Sequence, residues 1–138
     1  MFDIKEQAKA GEVENAGTFV HIHDLSEKLL YFQDGEEEKP VGILVAGAHS
    51  HQYRQIEAQQ RQRRLKPKDL TSARAFEDSV ERVVFCALGW QGFLMEGKPV
   101  QFSKENLKTL LKECPWVLDQ ITEAMQDHSR FFTKESKQ

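Results

Sequence analysis

The sequence predicts an α+β fold, a small antiparallel β-hairpin or meander near the N-terminus packed with about four α-helices. Three observations predict it. Apolar and polar residues alternate over Thr18–His23, the period of a half-buried strand. Val41-Gly-Ile-Leu-Val-Ala46 is a short, nearly continuous apolar run of strand length. After Gly47 the spacing changes to three and four, most clearly in Ala73, Phe76, Val80, Val83, Val84, Ala87 and Leu88. Two or three short strands are stable only with a helical layer over one face.

In chain order, Met1 to Ala16 reads as a short amphipathic helix through Phe2, Ile4 and Ala8, broken at Ala16-Gly17. Thr18–His23 and Leu29–Phe32 are strand candidates. Asp34-Gly35, three glutamates and Pro40 read as a solvated turn before the third strand, Val41–Ala46. Ser50 is a good N-cap for a very polar helix from His51 to about Leu65, whose few apolar positions are Tyr53, Ile56, Ala58 and Leu65. So thin a stripe predicts a helix on the outside or projecting into a partner. Pro67 ends it. The main core helix runs from about Leu70 to Leu88 and stops at Gly89, leaving Trp90, Phe93 and Leu94 in a loop. Ser103 caps a helix to about Lys112, with Leu107, Leu110 and Leu111 inward. Pro115 suits the first position of a last helix, whose apolar side is Trp116, Ile121, Ala124 and Met125.

The chain of 138 residues is expected to form one domain, with a structured core over 16–132 and a disordered tail over 133–138. Net charge is -3, so nothing global pulls it toward nucleic acid or an anionic membrane. No apolar run approaches the roughly 20 residues of a membrane span. Cys86 and Cys114 lie in apolar sequence and form no CxxC pair, which points to a reducing compartment, the cytoplasm of the cell that makes the protein.

Catalytic signatures are missing from the sequence: there is no GxSxG elbow, glycine-rich nucleotide loop or HExxH. The reading is therefore a non-enzyme with no cofactor. His21/His23 and His49/His51 are two HxH pairs that could offer imidazoles to a metal, but only Asp24 adds a nearby ligand, and the expected role is that of exposed residues with no metal site. Between Arg54 and Arg74 seven basic residues face two acidic ones. A solvated helix face ranks first for this stretch, an acidic protein partner second, and nucleic acid third. Phe131 and Phe132, at the edge of the polar tail, are read as packing residues or as an exposed docking patch.

The order of these landmarks resembles the tail assembly chaperones of long-tailed bacteriophages. The resemblance rests on Val45-Ala-Gly-Ala-His-Ser50, the Arg-rich helix from Tyr53-Arg54, Leu88-Gly-Trp-Gln-Gly-Phe93, Glu96-Gly-Lys-Pro-Val-Gln-Phe-Ser-Lys-Glu-Asn106, Pro115-Trp-Val117 and Phe131-Phe132. It covers roughly Ala16 to Phe132. It implies a binding protein that holds the long, apolar, helical tape measure protein in solution. It further implies that the protein helps recruit tail tube subunits in the host cytoplasm and is absent from the mature virion. In many phages a frameshifted longer form contacts the tube protein. Homo-oligomers are expected, and nucleic acid and membranes are not expected partners. The residues assigned to partner binding are Tyr53, Arg54, Arg61, Arg64, Trp90, Phe93, Trp116, Phe131 and Phe132. The alternatives are a structural tail or tail-completion protein retained in the virion, and a small metal- or nucleic-acid-binding regulator.

Overall fold

A computed structural model of the chain describes residues 1–63 and 71–131. At its centre is a three-stranded antiparallel sheet of β1 (Thr18–His21), β4 (Gly42–Val45) and β5 (Ala87–Gln91), in the order β1-β4-β5. The apolar run takes the middle place, with Val20 opposite Ile43 on one side and Trp90 opposite Ile43 on the other. As the central strand, β4 has both edges paired, with Gly42, Ile43 and Val45 buried and Leu44 half-buried, so it reads as nearly continuous rather than alternating hydrophobicity.

β5 corrects the expectation of a helix to Leu88 followed by a loop. The helix stops at Cys86, and the next five residues form a strand, of which Ala87, Gly89, Trp90 and Gln91 stand opposite β4 and Leu88 falls at a register shift. The change of period is visible in burial: Ala87 points into the core and Leu88 is 43% exposed. Strand formation in Ala-Leu-Gly-Trp-Gln comes from the partner strand, not from residues with strong strand preference at every position.

The first three strand candidates do not form a simple meander. β1 pairs directly with β4, and the chain between them makes an excursion that carries its own hairpin, β2 (Tyr31–Asp34) and β3 (Glu37–Pro40). The acidic segment expected as a turn is thus mostly strand, and only Gly35 and Glu36 make the reversal. Glutamates are tolerated there because the hairpin is largely solvent-facing, and Lys39 closes a 2.6 Å ion pair with Asp34 across it. Backbone bonds from Ile22 N–H to Val41 O and from Val41 N–H to Leu30 O anchor its base to the sheet.

The N-terminal segment is two short helices, α1 (Ile4–Gly11) and α2 (Val13–Ala16), rather than one. Phe2 and Ile4 remain exposed, and no residue of α1 is buried. The four expected longer helices are present as α3 (His51–Arg63), α4 (Ser72–Cys86), α5 (Lys104–Glu113) and α6 (Pro115–Gln126). Ser50 accepts from Tyr53 N–H, Thr71 from Arg74 N–H and Ser103 from Asn106 N–H, each at 3.0–3.1 Å. Such caps satisfy first-turn amides that have no helical partner. Lys104 stops α4 from the far side: its ammonium donates to Val84 O and Ala87 O at 2.7 and 2.8 Å. A cation there meets the negative end of the helix dipole.

α4 packs on α3, α5 and α6, and α6 also lies against β1 and β4. The core is Ile43 and Val45 from the sheet, Val80 and Val83 from α4, Leu107 and Leu111 from α5, and Ile121 and Met125 from α6. Burying a side chain of this size contributes about 1.5–3 kcal/mol. Ala73, expected on the core stripe, is exposed; the stripe starts at the half-buried Phe76. α3, expected as an external helix, packs on α4 through Ile56 and through the amide of Gln60, which is 4% exposed.

Candidate functional site

The hairpin, the end of β5 and the segment after it enclose an open aromatic groove of 630 Å³. Its walls include Tyr31 and Phe32 from β2, Trp90 from β5, then Phe93, Leu94 and Phe102. Trp90 organises it. Its indole N–H donates to Val100 O at 3.0 Å, its ring lies 4.7 Å from that of Phe93, and Phe102 meets it edge-on at 5.6 Å. These are separations at which aromatic pairs attract beyond simple burial. Gly92, with φ +87°, sits where a Cβ would lie 2.6 Å from the Phe32 ring, so glycine there lets the hairpin close on β5.

One lip of the groove is a small ribbon, β6 (Leu94–Met95) and β7 (Lys98–Pro99), turning at Glu96-Gly97 with both residues at positive φ. Leu94 is 65% exposed and Met95 53%. Together with the half-exposed Tyr31 they set apolar surface beside an aromatic depression, a combination suited to covering an apolar stripe of another chain. Sequence reasoning did not select Tyr31, Phe32, Leu94, Met95 or Phe102. The available signal was Met95-Glu-Gly-Lys98, a two-residue turn that tolerates left-handed backbone and flips the chain back on itself.

Of the residues assigned to partner binding, Trp90 and Phe93 meet in this groove. The other described ones do not join them. Tyr53 and Trp116 are half-buried and pack against the core. Arg54 and Arg61 stand exposed on α3. Phe131 is 2% exposed and wedged against Gly47, so it is a packing residue and not a docking patch. Arg64 and Phe132, with the tail over 133–138, lie outside the described residues.

Part of the basic stretch is paired within the chain, at the surface. Arg63 pairs with Glu81, and Arg61 lies 3.7 Å from Glu57 one turn away. A second depression of 300 Å³ bears both signs of charge, with Arg63, Arg74, Lys108 and Lys112 beside Glu77 and Glu81. Lys66 and Lys68 of the basic stretch lie outside the described residues.

Burial pushes the Cys86 thiol up to about 11, and it raises Cys114 as well. Neither environment makes the thiolate that nucleophilic chemistry needs. Among the described residues, three or more ligand-type side chains converge once, at Glu14, His49 and His128, which takes one histidine of the second HxH pair and none of the first. His21 is instead held by Leu30 O, 2.8 Å from its Nε2, and His23 lies with Nδ1 3.1 Å from Asp24 O. No helix among the described residues is long and apolar enough to cross a membrane.

Fold and surface thus define an α+β protein whose most developed feature is an aromatic groove. Residues 45–138, more than half of the chain, match the family described as YdaY prophage protein, and the chain belongs to that family. No curated protein and no solved structure matches it. The matched span takes in β5, the ribbon, α3 to α6 and Trp90 and Phe93, but not β1 or the hairpin that supplies Tyr31 and Phe32.

Proposed function

We propose that this prophage protein is a tail assembly chaperone: a non-enzymatic binding protein that holds the tape measure protein soluble in the host cytoplasm and helps recruit tail tube subunits. The prophage family supports the setting. The observation that carries the role is the groove: Trp90, Phe93 and Phe102 form its floor, and Leu94 and Met95 are left exposed at its lip. A helical client with an apolar stripe presents side chains three and four residues apart, and a groove of this kind takes one or two of them at a time. Each insertion is modest, so binding stays reversible, as a chaperone that leaves the finished particle requires.

The test is co-expression of the chain with a fragment of the tape measure protein from the same prophage. The wild-type chain is expected to raise the soluble yield of the fragment. A Leu94→Glu, Met95→Glu double variant should fold, because both residues are exposed, and should lose the effect. Unchanged yield with the wild-type chain would end the proposal. Stoichiometric amounts of the chain in purified particles would make it a structural tail component instead.

A further inference from the structure

Away from the groove, where α2 meets the segment after α6, we infer a binding site for a zinc-class divalent ion formed by Glu14, His49 and His128. Glu14 lies on α2, His49 in the turn between β4 and α3, and His128 just after α6. Their ligand atoms all lie within 4.8 Å of one another. Zinc bound to imidazole nitrogen and carboxylate oxygen at 2.0–2.2 Å in a tetrahedron needs ligand atoms about 3.4 Å apart. The widest separation must therefore close by about 1.4 Å, a shift that turning an exposed imidazole such as His49 supplies.

Three further observations favour an ion here. First, Glu14 is 2% exposed, and among the described residues no lysine or arginine pairs with it. A buried carboxylate needs compensating charge, and a divalent cation supplies it. Second, the carboxylate is already aimed. Its Oε1 accepts from His49 N–H at 3.0 Å, and its Oε2 lies 2.9 Å from His128 Nδ1. One oxygen is thus oriented by the backbone while the other faces the imidazole, the type of outer hydrogen bonding that positions metal ligands. Third, the rings of His49 and His128 stack with centroids 4.0 Å apart and planes 29° from parallel, which brings two imidazoles to the same carboxylate.

The backbone is built around this carboxylate. A Cβ on Gly47 would fall 2.1 Å from Glu14 Oε1 and 2.6 Å from the Phe131 ring, so only glycine admits both side chains. Gly47 N–H also donates to Glu14 O, and Ala48 N–H to Met125 O. The donor set is two imidazoles and one carboxylate with no thiol, which suits Zn²⁺, Co²⁺ or Ni²⁺ over soft Cu⁺ or hard Ca²⁺. An ion here would clamp α2 and the post-α6 turn to the start of α3, leaving a coordination position open on the side of the exposed His49. Its role would be to lock these three segments together rather than to catalyse.

The test uses the full chain, free of any histidine tag and stripped with EDTA, titrated with ZnCl₂ and CoCl₂ near neutral pH. The expected result is one equivalent bound with a dissociation constant of about 1 µM or tighter, a raised melting temperature, and visible Co²⁺ bands of four- or five-coordinate geometry. His49→Ala and His128→Ala should each weaken binding about tenfold or more, and His51→Ala should leave it unchanged. His49 is exposed, so its variant folds whether or not a Glu14 variant does. Absence of saturable binding overturns the site. So does a loss confined to one of the two histidines, or an equal loss in His51→Ala, since either places the ion elsewhere.

Discussion

Replacing Gln60 with alanine tests whether the very polar α3 is truly part of the fold. The Gln60 amide is buried between α3 and α4 and uses three of its hydrogen-bonding positions. Nε2 donates to Asp78 O at 3.0 Å and to Glu81 Oε1 at 2.9 Å, and Oε1 accepts from Arg82 at 2.9 Å. A neutral hydrogen bond is worth about 1 kcal/mol net and one to a charged group about 1.5–3 kcal/mol. Glu81 and Arg82 are half-exposed and regain water when the amide is removed, so the lower end applies to each. Alanine returns a few tenths of a kcal/mol in helix propensity. The expected loss is about 3.5 kcal/mol, which for a chain of this length lowers the melting temperature by about 12 °C. Urea unfolding followed by circular dichroism measures it, with Gln59→Ala as the control. Gln59 is exposed one position earlier and its loss should stay within about 0.5 kcal/mol. A Gln60→Ala loss below about 1 kcal/mol, with an unchanged slope against urea, would refute the polar seam and return α3 to the status of a loosely attached external helix.

Two further predictions concern the same helical layer. The Cys86 thiol is raised from 9.0 to about 11, so the unfolded chain loses that proton first. The stability this group contributes is full below pH 9 and lost as pH rises through about 11. The urea midpoint of the wild-type chain should therefore fall more steeply above pH 9 than that of Cys86→Ala, and parallel curves would refute it. Lys104→Met keeps the stem and removes the donors to Val84 O and Ala87 O; the expected cost is about 1–2 kcal/mol by urea unfolding, and no loss would show the cap to be idle.

Much of the helical half was legible in the sequence because its signals are local. Ser50 and Ser103 cap where a hydroxyl followed by a helical period says they should, and Pro115 opens α6 because its missing amide proton is not needed there. Val80, Val83, Leu107, Leu111 and Ile121 are buried because spacings of three and four put them on one face. The alternation of Val20 and Ile22 placed both in the core for the same kind of reason.

What only the tertiary structure decided is non-local. β5 is a strand because β4 offers it an edge; alone, Ala87-Leu88-Gly89 reads as the end of a helix. Glu37 and Glu38 join a hairpin because its faces are wet, which no count of charges reveals. The groove draws Phe32 and Phe93 together across more than half the length of the chain's core, and their meeting depends on Gly92 admitting the hairpin. Glu14 and His128 meet although they stand 114 positions apart in sequence, and nothing near either one marks it as a partner of the other. Capping, period and breakers act within a turn or two of chain and can be read from it. Strand partnership, aromatic enclosure and the convergence of ligand groups are set by which surfaces the folded core brings together, so the sequence alone settled the four longer helices, the two apolar strands β1 and β4 and the fold class, and the packed chain settled β5, the hairpin and the sites.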